Sequence, residues 1–168
     1  PAEWMALLLQ AAQTPQSAGC APLIERAFEL APTVSGALDG RRFEWIADAD
    51  SRFGPIVEAF IDGKYYWIPF ERLAELRLEA PAEVIDRIWQ PCEFVFSSGG
   101  SKNGFIPTRY PGSPADEDTA IVLAQANRAS ALSDDYQTLR GLRVFDTDAI
   151  SVSLAEMRHV RLDPVAEA

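Results

Sequence analysis

Residues 43–70 have the sequence FEWIADADSRFGPIVEAFIDGKYYWIPF, and this stretch decides the fold. Near its middle, Asp62 and Gly63 separate two apolar runs. An Asp-Gly pair between apolar runs indicates a two-residue hairpin turn, because both turn residues adopt positive φ. Such a turn sets the register of the two strands and places Glu58 opposite Trp67. We expect this hairpin to be central in its sheet, since both of its faces are largely apolar.

The composition is that of one globular domain with an acidic surface. The chain has 168 residues, 48% of them hydrophobic, which is enough to bury a core. It carries 15 basic and 25 acidic residues, for a formal net charge of -10. This charge repels phosphate backbones and anionic lipid, so we predict no nucleic-acid partner and no membrane partner.

The cysteines and the start of the sequence predict a cytoplasmic protein. Cys20 and Cys92 show no metal-ligand spacing, and we interpret them as buried thiols in a reducing compartment. A single disulfide between them would instead indicate an oxidising compartment. The longest strongly apolar run, residues 5–9, is too short to cross a bilayer, and no secretory signal is recognisable. Because the sequence has no initiator methionine, we expect it to be a piece of a longer chain.

Apolar spacing divides the chain into two regions. Residues 1–38 predict a helical hairpin, with two amphipathic runs joined by a linker at residues 14–19. In residues 39–168 the apolar period changes to two, which is typical of strands. The predicted fold class is therefore α+β: a mainly antiparallel β-sheet with short helices, preceded by the helical hairpin. We interpret the hairpin as the remnant of a longer helical region.

Further elements follow from the same periodicity and from turn residues. Residues 42–47 predict a strand before the hairpin. A short helix is expected over residues 70–76, and a short helix or a turn over residues 83–89. The other predicted elements are a second hairpin and a later pair of strands, at residues 92–97 with 105–110 and at residues 142–145 with 150–154.

Alternating acidic residues are the nearest approach to a metal site. Asp48 and Asp50 have the spacing of calcium-loop ligands, but Arg52 occupies the fifth position and no bidentate glutamate follows. We interpret the segment as a turn whose carboxylates accept backbone N–H groups and pair with Arg52. The alternative is a metal-dependent hydrolase that uses Asp48, Asp50 and Glu58.

Glu58 is the carboxylate that we expect to be buried, because it lies on an apolar hairpin. A buried carboxylate needs a cation or several N–H donors, and Arg52 is the nearest candidate in the sequence. We prefer this structural ion pair to a catalytic acid, since no second catalytic group is identifiable. The one histidine, His159, lies in a strand-like run, and the glycine-rich residues 99–104 lack the Lys-Ser/Thr pair of a phosphate loop. We predict no catalytic residue, metal or cofactor.

Aromatic residues are concentrated in the central part of the chain, and most of them must form the core. We expect a surplus to line an apolar groove for an amphipathic helix of a partner. Large aromatic side chains dominate interface energetics, so we select Trp67, Trp89 and Tyr110 as candidate anchors. The alternative for each of the three is an ordinary core position.

Several motifs of this region resemble the ImpE/TagJ family, accessory proteins of bacterial type VI secretion systems. The resemblance extends over residues 25–113, and after Gly112 the sequence departs from the family pattern. It rests on five motifs: FEWIADADSRFGP at residues 43–55, EA at 58–59, YWIPF at 66–70, IWQP at 88–91 and PTRYPGS at 107–113. We interpret the following motif residues as structural: Asp48, Asp50, Arg52, Gly54, Pro55, Glu58 and Pro69.

The resemblance implies an adaptor that is not an enzyme and needs no cofactor. Family members bind the N-terminal helix of the small contractile-sheath subunit, and so link the sheath indirectly with the ATPase that recycles it. For this chain, we expect the partner helix to lie in the apolar groove that the surplus aromatic residues line. The resemblance assigns none of the residues of this chain to the partner contact.

Overall fold

Strands make up most of the structure, and a helical hairpin precedes them. The computed structural model describes residues 2–14 and 19–165. The α-helices of this part are α1 (Glu3–Gln13), α2 (Ala21–Leu30) and α3 (Thr119–Val122). The strands are β1 (Gly36–Leu38), β2 (Arg41–Phe43), β3 (Ile46–Asp48), β4 (Ile56–Ile61), β5 (Lys64–Pro69), β6 (Leu73–Leu78), β7 (Trp89–Phe96), β8 (Ser101–Pro107), β9 (Asn127–Ala131), β10 (Gln137–Gly141), β11 (Val144–Thr147), β12 (Ser151–Ser153) and β13 (His159–Leu162). Single turns of 3-10 helix lie at Phe70–Arg72, Ile85–Arg87 and Ser113–Ala115.

Eight strands form one antiparallel sheet in the order β2-β1-β13-β6-β7-β8-β4-β5. Two smaller sheets have the orders β12-β11-β3 and β10-β9. In the large sheet, β13 is inserted between β1 and β6 and pairs with both. The antiparallel sheets, the few short helices and the helical hairpin at the beginning confirm the predicted α+β class.

The β4–β5 hairpin has the predicted turn and register. Asp62 and Gly63 have φ values of 52° and 74°, and Glu58 pairs with Trp67. The expected central position is wrong, because β5 is an edge strand of the eight-stranded sheet. Tyr65 is 49% exposed although the pattern counts it as apolar. An aromatic ring with a hydroxyl group tolerates water, so counting apolar residues overestimates burial at this edge.

The helix predicted over residues 70–76 is mostly a strand. One 3-10 turn at Phe70–Arg72 is followed directly by β6. A register shift between Leu73 and Glu75 allows Leu73 and Leu76 both to be buried although they are three residues apart. Because a spacing of three is typical of a helix, the bulged strand imitates the helical pattern.

The remaining predicted elements are present with changed limits. Residues 42–47 contribute to two strands, β2 and β3, which belong to different sheets. The second hairpin is β7–β8, but Asn103 and Gly104, expected in its loop, are paired inside β8. The short helix or turn predicted over residues 83–89 is a single 3-10 turn at Ile85–Arg87. The pairing of β11 with β12 confirms the later strand pair, whereas β9 and β10 have no counterpart in the predictions.

The helical hairpin packs on the strands through a hydrophobic cluster of its own. Helix α1 buries Trp4 and Leu8 in this cluster, and α2 buries Ile24. Phe53 and Ile56 from the region before and within β4 belong to the same cluster. A second, larger cluster joins one face of the eight-stranded sheet with β3 and β11.

The predicted linker at residues 14–19 and the predicted domain boundary after residue 38 both concern the N-terminal region. Of the predicted linker, residues 15–18 lie outside the described residues. Strand β1 already belongs to the large sheet, and the division into residues 1–38 and 39–168 stays a prediction.

None of the described helices is long and apolar enough to cross a membrane.

Candidate functional site

A buried arginine, Arg143, joins two of the acidic residues singled out above. Its side chain is 0% exposed. Nη1 donates to Oδ2 of Asp48 at 2.5 Å, and Nη2 donates to Oε2 of Glu58. Nε donates to the carbonyl oxygen of Pro107 at 2.9 Å. One guanidinium group therefore connects the ends of β3 and β8 with the middle of β4.

Two aromatic rings pack against this guanidinium group. Its central carbon lies 4.6 Å from the ring centroid of Tyr110 and 5.1 Å from that of Phe53, which is the range of cation–π contacts. The Tyr110 hydroxyl donates to Oδ1 of Asp48 at 2.7 Å and accepts the N–H of Val144 at 2.9 Å. The charges of the cluster are thus enclosed by rings and matched by hydrogen bonds.

Tyr110 is not on the surface, where an anchor would have to lie. It is 1% exposed, and its ring stacks behind Phe53 at a centroid distance of 6.3 Å. The Phe53 ring in turn contacts Trp67 edge-on at 5.5 Å. Tyr110 therefore supports Trp67 from inside the protein through Phe53.

Asp50 and Arg52 form a second enclosed ion pair beside the first. Nη2 and Nε of Arg52 donate to the Asp50 carboxylate at 2.5 and 2.9 Å. The expectation that Arg52 neutralises Glu58 is wrong, because Arg143 does so from 85 residues further along the chain. No local sequence signal pointed to this partner, because Arg143 lies 85 residues from Glu58 in the chain.

Electrostatics and geometry both argue against a metal site at these acids. Burial raises the pKa of Asp48 from its ordinary 3.8 to about 7, and the attraction of Arg143 opposes this rise. Burial lowers the pKa of Arg143, but the nearby carboxylates outweigh this effect, so its pKa lies above the ordinary value. Among the residues that the structure describes, no three His, Cys, Asp or Glu side chains are placed to hold a metal ion. Guanidinium groups occupy the positions beside Asp48, Asp50 and Glu58 that a cation would take, so we do not propose a metal-dependent hydrolase.

The remaining motif residues shape the entry to and the exit from the β4–β5 hairpin. Gly54 has a φ of 48°, and a Cβ atom there would come within 2.2 Å of the Phe28 ring of α2. The carbonyl oxygen of Pro55 accepts the N–H of Phe70 at 3.1 Å. Pro69 is the last residue of β5. These residues make contacts within the chain, and a structural role for them is our proposal.

One face of the eight-stranded sheet carries a continuous row of aromatic side chains, which we call the aromatic surface. It consists of Phe60 on β4, Tyr65 and Trp67 on β5, Trp89 on β7 and Phe105 on β8. Ring centroids of Phe60 lie 5.1 Å from Tyr65 and 4.8 Å from Trp89. Phe60 is also the direct cross-strand partner of Phe105. Since paired residues share a face, these rings form one patch across four neighbouring strands.

Much of the aromatic surface is open to solvent. Tyr65 is 49% exposed and Phe105 is 45% exposed, and exposed apolar patches are a common feature of interaction sites. Trp67 and Trp89, selected from the sequence as anchors, both lie in it, on its two outer strands. The Tyr65 hydroxyl accepts the indole N–H of Trp67 at 2.6 Å and donates to Glu58. The aromatic surface is thereby connected to the buried Arg143 cluster.

Comparison with known proteins shows which family this chain belongs to. The family model described as ImpE protein matches residues 40–161. The chain belongs to the ImpE family. The matched region contains the whole aromatic surface and the Arg143 cluster, whereas α1 and α2 precede it.

Two similar proteins show how far the likeness of this ImpE family member extends. The type VI secretion system accessory component TagJ of Pseudomonas aeruginosa strain PAO1 is 35% identical over 167 residues, which is 98% of this chain and 58% of TagJ. The crystal structure of a Vibrio parahaemolyticus protein has a TM-score of 0.86 and 19% identity, and the match covers 97% of this chain and 62% of that protein. The second likeness is one of fold. This chain therefore spans less than two thirds of the length of either protein.

Proposed function

We propose that this ImpE family member is a non-enzymatic adaptor of a bacterial type VI secretion system that works in the cytoplasm. The family match and the 35% identity to an accessory component of such a system support the accessory role. The formal net charge of -10 favours a protein partner over nucleic acid or an anionic membrane. The enclosed, charge-matched Arg143 cluster supports a structural use of the acidic residues.

The proposed partner is the N-terminal helix of the small contractile-sheath subunit, which connects the chain indirectly to the sheath-recycling ATPase. The aromatic surface is the observation that carries this proposal. Its four strands span about 14 Å, because neighbouring strands lie about 4.8 Å apart. Two turns of an α-helix are about 11 Å long. One helix with apolar residues at positions i, i+3, i+4 and i+7 therefore fits across the row.

Trp67 and Trp89 are the proposed anchors of the partner helix. They lie on the outer strands of the aromatic surface, so that a helix laid across the four strands contacts both. Tyr110 contributes through Phe53, whose ring holds Trp67 in place. Tryptophan and tyrosine side chains are enriched among the few interface residues that carry most of the binding free energy.

A titration with the full-length protein tests the partner. The sheath small subunit, with and without its first helix, is titrated into the full-length protein, and binding is followed by isothermal titration calorimetry. We expect saturable binding that disappears when the helix is deleted. Binding that is unaffected by the deletion, or absent for both forms, would show that the proposed partner is wrong.

Single substitutions test the surface. Phe105→Ala and Trp89→Ala should each weaken binding at least tenfold, which is about 1.4 kcal/mol or more. Tyr66→Ala is the matched control, because Tyr66 is 42% exposed but lies on the other face of β5. We expect this control to bind within about twofold of the unaltered protein. Equal losses for Tyr66→Ala and Phe105→Ala would place the contact elsewhere.

A further inference from the structure

Strand β9 is an open edge. All five residues of Asn127–Ala131 are exposed, and in the described part of the chain β9 pairs with β10 alone. An unpaired edge presents backbone N–H and C=O groups to any extended segment that approaches it. This edge belongs to a separate two-stranded sheet and not to the sheet that carries the aromatic surface.

The hydrogen-bond pattern shows which backbone groups of β9 are open. The N–H of Leu132 donates to the carbonyl oxygen of Tyr136 next to the end of the ladder. Opposed residues in an antiparallel ladder alternate between bonded and non-bonded pairs. Counting back from Leu132, the N–H and C=O groups of Ala131, Ala129 and Asn127 point away from β10. Three backbone N–H groups and three C=O groups of β9 therefore face outward.

The usual protections against strand addition are missing from β9. Its sequence contains no proline or lysine, and its register with β10 is continuous without a bulge. The one charged residue is Arg128, whose guanidinium group is held by Asp116 at 3.1 Å and by Asp118 at 3.4 Å. The other side chains are small, so an added strand meets no steric barrier from β9.

A cleft of about 630 Å³ lies along one face of β9. Ala129 and Ala131 line it together with Trp45, which is 41% exposed. Asp134 and Asp135 add two exposed carboxylates to the same cleft. The cleft therefore suits apolar side chains and a basic one.

A second cavity, of about 460 Å³, has the opposite character. Arg52, Arg128 and Arg140 line it. The side chains of Arg128 and Arg140 are 53% and 54% exposed and share the carboxylate of Asp116. Each guanidinium group has five N–H donors, so donors remain for a carboxylate or hydroxyl group. Ser130 also lines this cavity, so successive residues of β9 line two chemically different cavities.

We propose that β9 accepts an extended segment of a partner protein as an added antiparallel strand. Main-chain hydrogen bonds to Asn127, Ala129 and Ala131 hold the segment, and the two cavities select its sequence. Apolar and basic side chains enter the cleft beside Trp45, and alternate carboxylate or hydroxyl side chains face the arginines. This strand addition goes beyond helix binding at the aromatic surface and does not depend on it.

A synthetic peptide tests the hydrogen-bond direction without changing the protein. The probe is fluorescein-labelled Thr-Val-Glu-Lys-Ser-Val-Thr, whose two valines and lysine enter the cleft. Residues that enter the cleft lie on the same face as Ala129 and Ala131, so the two valines and the lysine lie opposite Asn127, Ala129 and Ala131. Opposed residues of this kind exchange their hydrogen bonds, so the N–H groups of the valines and the lysine point at β9. N-methylation of these three nitrogens should weaken binding to the full-length protein at least tenfold in fluorescence anisotropy. N-methylation of the glutamate and serine nitrogens, the matched control, should leave binding within threefold.

Ala129→Pro tests the same edge from the side of the protein. It removes an outward N–H while leaving the bonds to β10 intact, as proline on an edge strand does. We expect at least tenfold weaker peptide binding, with an unchanged unfolding midpoint and unchanged binding of the sheath-subunit helix. Equal binding of the two methylated peptides, or no saturable binding of the parent peptide, would overturn the proposal. Self-association of the full-length protein that Ala129→Pro abolishes would also overturn it, by assigning the edge to a second copy.

Discussion

Replacing Arg143 with methionine isolates the energetic role of the buried cluster. Methionine keeps an apolar stem near the rings of Phe53 and Tyr110 but removes every guanidinium N–H. The side chains of Asp48 and Glu58 then stay buried, at 0% and 5% exposure, without their cation. The variant therefore measures what two uncompensated carboxylates cost the folded state.

The expected magnitude follows from this arrangement. Removing one partner of a buried ion pair costs about 3–5 kcal/mol, because the remaining charge stays in surroundings of low polarity. Since one substitution leaves two carboxylates unpaired, we expect the upper end, about 5 kcal/mol. With a urea m-value of about 2 kcal/mol/M, the unfolding midpoint falls by about 2.5 M.

Equilibrium urea unfolding, followed by tryptophan fluorescence, measures the loss. The triple variant Asp48→Asn, Glu58→Gln, Arg143→Met removes all three charges and should recover at least half of the loss, because it leaves no uncompensated charge in the interior. Arg140→Met is the matched control, since its side chain is 54% exposed and paired with Asp116 at the surface. We expect it to change the free energy of unfolding by less than about 1 kcal/mol.

Three results would refute this reasoning. The first is a loss below about 1 kcal/mol for Arg143→Met, which is the ordinary effect of a point substitution. The second is an equal loss for Arg140→Met. The third is a triple variant that is no more stable than the single one, because the cost would then not come from unpaired carboxylates.

Further predictions concern pH, packing and reactivity. The loss for Arg143→Met should be larger at pH 8 than at pH 5 in urea unfolding. Burial raises the folded-state pKa of Asp48 to about 7 although Arg143 opposes the rise, so removing Arg143 raises this pKa further. The folded variant then holds the Asp48 proton to higher pH than the unaltered protein does, and its stability falls more steeply as pH rises. A larger loss at pH 5 would contradict this. Gly104→Ala should lower the free energy of unfolding by about 1–3 kcal/mol, because its Cβ would lie 2.3 Å from the carbonyl oxygen of Phe60; an unchanged urea midpoint would argue against that contact. Cys92 should react with iodoacetamide slowly in the folded protein and quickly in urea, as mass spectrometry can follow, because burial raises its thiol pKa to about 12; fast labelling of the folded protein would count against this burial.

The parts of the fold that were predictable depend on local information. Asp62 and Gly63 specify a turn by their own backbone preferences, and that turn fixes which residue faces Glu58. The burial of Glu58 follows from the same register. Its cation does not, because Arg143 reaches it only after β10 and β11 have been placed.

Sheet order and bulges lay beyond local reasoning. Strand β5 is an edge strand because no other described strand pairs with its outer side. The residues of the hairpin do not determine this, since it depends on the positions of the other strands. The bulge after Leu73 gives the buried apolar residues of β6 a spacing of three, which is the spacing of a helix. For the candidate site, Trp67 and Trp89 were selected for their size, and their meeting on one surface depends on the pairing of β4 with β8. Tyr110 was selected by the same rule and is enclosed.

The position of β13 has a consequence for how the protein is made. The strand lies between β1 and β6, so a growing chain carries both of its neighbours long before residues 159–162 leave the ribosome. At about 5–20 residues per second, this interval is on the order of ten seconds. During it, β1 and β6 each expose an unsatisfied edge that other nascent chains can pair with. A ribosome that stalls before residue 162 therefore releases a product whose main sheet is divided in two, and such products are natural substrates for chaperones and proteases.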